Sequence, residues 1–290
     1  MSLSLEDAII RTICYADVFD FPLTIPEVRK YLIGFSLPGL KEKDLIKKVK
    51  YLPDISSKSG YYFLKGRETN VSGRLRKEYF SGQKYKLLQK ILKFMTFWPQ
   101  VLMIGVTGTL AMNNADRDDD IDLLLVSDSR QLWTTRFLVV SLLKTLGLYR
   151  NPKDTKVNNK ICLNMYLDEN HLELPVAERD LYSAHEIIQL LPVYDRGGYY
   201  QKFRSSNSWV NQFLPNSEVF AGNNSENPSG KSRQELFTES ILRKIQLWKI
   251  NKNLSNEVIR PGFLRFHPHD NREKILKKYQ HNLQKIHTIP

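Results

Sequence analysis

In the stretch Asp119-Asp120-Ile121-Asp122-Leu123-Leu124-Leu125-Val126-Ser127, one carboxylate stands inside an otherwise apolar run. The run reads as a buried strand, Ile121–Ser127. A carboxylate buried in such a strand is costly unless something compensates it. Residues two apart in a strand project to the same face, so Asp120 and Asp122 converge while Ile121 and Leu123 turn to the core. Two carboxylates so placed repel each other unless a cation sits between them. Asp118 and Asp120 share that spacing, but only Asp122 is embedded in the apolar run. An acidic loop kept for solubility would account for residues 116–120 and not for the apolar strands on either side.

The residues just upstream complete the pattern. Val101–Val106 reads as a buried strand, and Gly108 then permits a tight turn and close backbone approach. A short helix over 109–114 would aim free backbone N–H groups and the positive end of its dipole at whatever lies there. Thr109 adds a hydroxyl. Strand, Gly-Thr, helix, a ten-residue gap and Asp-x-Asp at the head of an apolar strand together describe an anion site beside a pair of hard oxygen ligands. Such ligands suit Mg²⁺, with Mn²⁺ as the alternative.

This ordered set resembles the Gly-Ser and Asp-x-Asp motif of the polymerase-beta-like nucleotidyltransferase superfamily. The resemblance covers about residues 100–170, with the motif itself confined to 105–126. It implies that Gly108 and Thr109 help hold a nucleoside triphosphate and that Asp120 and Asp122 hold the metal. Thr109 stands where serine is commoner and keeps the hydroxyl. The implied activity is transfer of a nucleoside monophosphate from an NTP to an acceptor, with release of pyrophosphate. The superfamily usually adds a third carboxylate from a neighbouring strand. The matching strand here is Ile161–Leu167, and its polar position facing the site is Asn164. An amide can ligate a metal but cannot act as a base. Asp168, at the strand end, is the acid that could substitute.

Around this centre, strands and helices alternate. A helix at Gln131–Leu146, the strand Ile161–Leu167 and a helix at Asp180–Leu191 give an α+β fold, a mixed sheet flanked by helices. Before it come helices expected at 4–19, from Thr24 to Gly34, and at 40–51. Thr24 and Glu27 form a capping box with Pro26 in the first turn. Strands at Pro53–Ser56 and Tyr61–Leu64 follow. Three helices and a hairpin resemble a winged helix, here residues 1–67. A connecting helix spans 68–99, with Leu75, Tyr79, Leu87, Leu88, Ile91, Leu92 and Met95 as its buried stripe and Arg74 and Lys84 among its solvated charges. The nucleotidyltransferase-like domain spans 100–215, a polar linker 216–232, and a basic helical extension 233–290 with helices at 233–250 and 271–287.

The chain has 290 residues and a net charge of +12, which favours an anionic partner. Residues 231–290 carry 13 Lys/Arg against 5 Asp/Glu, a footprint that suits a nucleic-acid backbone as well as two solvated helices. The lysine-rich third helix could meet phosphates, or the winged helix could dock another protein. His267-Pro268-His269-Asp270 reads as a turn rather than a metal site. No run of about 18 apolar residues implies a membrane span, no secretory signal is expected, and two cysteines in apolar runs, Cys14 and Cys162, fit a reducing, cytoplasmic setting. The reading is therefore a metal-dependent nucleotidyltransferase. The alternatives are a non-catalytic nucleotide or nucleic-acid binder with a degenerate site, and a scaffold.

Overall fold

A computed structural model describes residues 3–217, 237–252, 257–266 and 271–287. It is an α+β protein built on a mixed six-stranded sheet flanked by helices. The chain opens with α1 (Leu5–Asp17), capped by the Ser4 hydroxyl, which accepts the Asp7 N–H at 3.0 Å. Next is α2 (Ile25–Lys30), where the Thr24 N–H donates to Glu27 Oε2 at 2.8 Å as the capping box requires. It stops at Lys30, short of the Gly34 that the pattern suggested. Then come α3 (Glu42–Lys50) and an antiparallel pair, β1 (Ile55–Lys58) and β2 (Tyr61–Leu64). Leu23 bridges to Tyr62 of β2, so the segment after α1 is tied to this hairpin.

The long helix α4 (Thr69–Met95) corrects the stripe expected from hydrophobicity. Leu88, Ile91 and Met95 are buried, but Leu75 and Tyr79 are exposed, and their places on the inner face are taken by Arg74 and Lys84. Both cations are buried because polar partners await them there. Arg74 pairs with Glu27 of the capping box at 2.8 Å and with Glu78 at 3.0 Å, and its guanidinium stacks over Phe21. Lys84 donates to the carbonyls of Arg117 and Asp119 and to Asn159 Oδ1. Satisfied polar groups of this kind are the usual form in which charge enters a core.

The sheet proper begins with β3 (Val101–Val106), followed by a single turn, α5 (Gly108–Ala111), then β4 (Ile121–Ser127), α6 (Leu132–Thr145) and β5 (Ile161–Asp168). After α7 (Leu181–Gln189) the chain turns into β6 (Leu191–Asp195), then α8 (Tyr199–Ser206). The last elements are α9 (Phe237–Asn251), β7 (Val258–Arg260), β8 (Phe263–Arg265) and α10 (Arg272–His287). Strand order is β6-β3-β4-β5-β8-β7, and β4 and β5 are the parallel pair. Both faces of β4 are covered: Leu124 and Val126 join the core on one side, Ile121, Leu123 and Leu125 that on the other. This explains its nearly continuous apolar composition.

Two parts of the sheet escape the hydrophobic pattern. The helix expected to reach Leu191 ends at Gln189, and β6 follows. Pro192 restrains Leu190–Leu191 from helix and is tolerated because β6 is an edge strand. Strands β7 and β8 have three residues each, too short for a period to register.

The segment expected as a basic extension thus completes the sheet through β8, which pairs with β5. It also closes other gaps. Glu239 of α9 accepts the Trp133 and Thr134 N–H groups at 2.6 and 2.8 Å, capping α6 from outside its own chain segment. Asn282 of α10 donates to Cys14 O of α1 at 3.2 Å and Lys278 to Val18 O at 2.7 Å. Part of the C-terminal charge is therefore used within the fold. Asn216, expected to open the linker, holds the Phe35–Leu37 backbone through both amide atoms. The rest of that linker and the 267–270 segment lie outside the described residues. Among the described residues no helix is long and apolar enough to cross a membrane.

Candidate functional site

The site forms where β3 turns into α5 against the N-terminal end of the parallel pair. The Thr107 N–H donates to Asp122 O at 3.0 Å, holding the turn to β4. Gly108 has φ +64° and lies so close beneath Asp122 that a Cβ there would stand 2.9 Å from Oδ2. Only glycine takes both the backbone angle and the contact without strain. Across the sheet, Asp122 is in register with Cys162 of β5. Asn164 faces the same centre, its Nδ2 donating to Asp122 Oδ1 and to Thr107 Oγ1, each at 3.2 Å.

Asp120 and Asp122 do converge: ligand atoms of Asp120, Asp122 and Cys162 all lie within 4.8 Å of one another. Their electrostatic situations differ. Asp120 forms an ion pair with Arg150. Asp122 has no directly paired cation among the described residues. Burial first, then the Asp120 charge, pushes its carboxyl up to about 7. Burial and the two carboxylates push the Cys162 thiol up as well, so it remains protonated and is no hard-metal ligand. The donor set that fits a divalent cation is therefore the two carboxylates, with Asn164 turned to donate its Nδ2 to Asp122. Hard oxygen donors of that kind suit Mg²⁺ rather than a thiophilic metal. A half-buried carboxylate with no paired cation among the described residues is the observation that this fit rests on.

The remaining expected residues are placed as follows. Thr109 is exposed, and its hydroxyl donates to Asp119 Oδ2 at 3.3 Å. With only four residues, α5 has little macrodipole to offer. Asp118 is exposed and takes no part in the pair. The acidic loop is held by Lys84 from α4, which a reading of that helix as wet could not reveal. Asp168 lies six residues along β5 from Cys162, about 20 Å away at strand rise. It is engaged there with His171 Nδ1 at 2.7 Å and the Asn170 N–H at 2.9 Å, and it does not substitute for a third acid at the site.

Glu186 of α7 fills that neighbourhood instead. It has no hydrogen bond or ion pair among the described residues, and burial pushes its carboxyl up to about 7. Sequence reading missed Glu186, Arg150 and Cys162. Cys162 was within reach, since it shares a strand face with Asn164. Glu186 left one signal, a lone carboxylate among Ala184, His185, Ile187 and Ile188, all buried. Arg150 sits outside any periodic element and left none.

Two cavities meet at this centre. The larger, about 600 Å³, is lined by six cations, Arg136, Lys144, Arg150, Lys249, Arg265 and Arg272, against the carboxylates Asp122, Glu186 and Glu257. The smaller, about 210 Å³, lies toward α1 and α2. Gly108, Asp122, Tyr182, Glu186 and Asn271 line both. No protein-family model, curated protein or solved structure matches the chain.

Proposed function

We propose that the chain is a nucleotidyltransferase of the polymerase-beta-like kind, with a winged-helix module at its N-terminus, that moves a nucleoside monophosphate from an NTP to an acceptor. The observation that carries this reading is Asp122: a half-buried carboxylate with no paired cation among the described residues, beside Asp120 and lining a cavity of about 600 Å³ that six cations also line. That volume falls within the range of small-ligand sites, roughly 300–1,000 Å³. The strand pattern supports it, with β3 antiparallel and β5 parallel to the carboxylate strand.

In this reading Asp120 and Asp122 hold Mg²⁺, and a bound divalent cation there would neutralise charge on the phosphates. Gly108 lets phosphate oxygens approach the backbone, and the Thr109 hydroxyl lies at the same turn. Arg150 pairs with Asp120 and is placed to move to a phosphate when a ligand enters. Glu186 is the carboxylate positioned to receive the acceptor's proton, a role that Asn164 cannot fill. Asn164 orients Asp122 by its hydrogen bond.

A second reading, a binder that does not transfer, is favoured by one observation: Arg150 already satisfies Asp120. Calorimetry with Mg²⁺ and each NTP, alongside pyrophosphate release from α-labelled NTP, separates the two. Binding that depends on both Mg²⁺ and Asp122 is expected. Binding without release under any acceptor would favour the second reading, and no Mg²⁺-dependent binding would sink both.

A further inference from the structure

The two cavities that meet at Asp122 have opposite chemistry, and the smaller one has no use yet. It is walled by aromatic side chains of the N-terminal segment, Tyr15, Phe19, Phe21 and Tyr31, with Met112 at its rim. Among the described residues no lysine or arginine lines it, and its acidic side chains are Asp122 and Glu186, both shared with the larger cavity. His185 in its wall is neutral, since burial lowers its pKa to about 4, and it stacks on Tyr15 with ring centroids 3.9 Å apart.

We propose that this cavity seats the acceptor, and that the acceptor is a small uncharged or cationic molecule whose aromatic ring fills the cavity while its hydroxyl group reaches Asp122 and Glu186. The identity of the ring's attachment rests on the nucleotidyl-transfer reading; the ring seat itself does not. A void of about 210 Å³ exceeds the roughly 150 Å³ that holds benzene in an apolar protein cavity. Aromatic walls that served packing alone would close on one another rather than leave that space.

Charge assigns the two ligands to the two cavities. A triphosphate is a polyanion and belongs with the six cations. A cavity whose described lining offers carboxylates, aromatic faces and neutral side chains but no cation repels phosphate and accepts a neutral ring, or a cation over a ring face. In the transfer step the acceptor oxygen forms a bond to the α-phosphorus of the NTP. The α–β phosphoanhydride bond breaks, pyrophosphate leaves, and the hydroxyl proton passes to Glu186.

The test uses the full chain and two phosphate-free probes, phenol and tyramine, followed by saturation-transfer NMR. Magnesium tripolyphosphate binding, by calorimetry, is measured in parallel. Two variants fill the cavity, Ala16→Leu from α1 and Met112→Trp from the half-buried rim. The second keeps the test open if the first fails to fold. At least one probe is expected to bind wild type at millimolar concentration and about tenfold more weakly to Met112→Trp, a loss of about 1.4 kcal/mol. Tripolyphosphate affinity should stay unchanged in the same variant. If neither probe binds wild type, or if the filled variants bind both probes as well as wild type does, the ring seat is wrong. If adenosine displaces the probes and Met112→Trp weakens ATP but not tripolyphosphate, the ring is the nucleobase and the acceptor assignment falls. Ring binding without any magnesium tripolyphosphate binding would overturn the nucleotidyl-transfer reading and leave the ring seat standing.

Discussion

The parallel pair β4–β5 carries a carboxylate at each end, half-buried Asp122 at one and buried Asp168 at the other, and each lies against a glycine with positive φ. Gly108 sits under Asp122 and Gly262 under Asp168, at φ +64° and +68°. The surroundings then diverge. Asp168 accepts the Asn170 N–H and has His171 at 2.7 Å, so its hydrogen-bond partners come from its own chain segment. Asp122 has the Asn164 amide, the Cys162 thiol and a second carboxylate, but no paired cation among the described residues. A buried charge is tolerated when it is paired. The Asp168 end finds its partners nearby in the chain, and the Asp122 end is the one where the proposed ligand would supply the missing charge. A carboxylate's burial says less about its use than what neutralises it.

The largest effect should separate the two ends in ligand binding. Asp122→Asn is expected to lower the affinity for Mg²⁺-NTP by about a thousandfold, about 4 kcal/mol, and Asp168→Asn to leave it unchanged. Calorimetry on both variants decides this, and equal losses would erase the distinction.

The glycines come next. A Cβ at Gly262 would stand 2.0 Å from His171 Nδ1 and 2.5 Å from Asp168 Oδ2, a closer clash than any at Gly108. Gly262→Ala should destabilise the fold by about 3 kcal/mol. Gly108→Ala meets only the end of the Asp122 side chain and should cost about 1–2 kcal/mol in stability. The reverse order in chemical denaturation would mean that the tighter packing is at the candidate site.

A smaller difference has opposite sign at the two ends. Asp168 Oδ1 takes both the His171 ring and the Asn170 N–H, so Asp168→Ala, which strands both, should destabilise by about 2 kcal/mol. Removing the unpaired Asp122 charge in the absence of metal should stabilise by about 1 kcal/mol at pH 8. Thermal melts without Mg²⁺ would show a rise for one variant and a fall for the other.

The smallest effect is in the pH dependence. The Asp122 carboxyl has a folded pKa of about 7, against about 3.9 in an unfolded chain. The fold holds the proton more tightly, so metal-free stability falls as pH rises from about 4 to about 7. Asp168 and Glu186 shift the same way through burial, so the slope persists in part without Asp122. Asp122→Asn should flatten the slope relative to wild type, and saturating Mg²⁺ should do the same to wild type. A slope indifferent to Asp122 would place its titration at the ordinary carboxylate value.

What could be read along the chain was local. The strand Ile121–Ser127, the Gly108 turn, the capping box at Thr24 and Glu27, and the convergence of Asp120 with Asp122 all follow from backbone angles and from periods of two or 3.6 residues. These depend on near neighbours, so the sequence by itself determined them. Tertiary structure decided which charges are inside. Lys84 and Arg74 look like any solvated helix cations until the acidic loop's carbonyls and Glu27 are brought against them. It also decided that Arg150 pairs with Asp120, that Glu186 lines the cavities beside Asp122, and that β7–β8 joins the sheet. In each case the partner lies far along the chain or in an element too short to show a period. The energy of a buried charge or a three-residue strand comes from that distant partner, and no local pattern contains it.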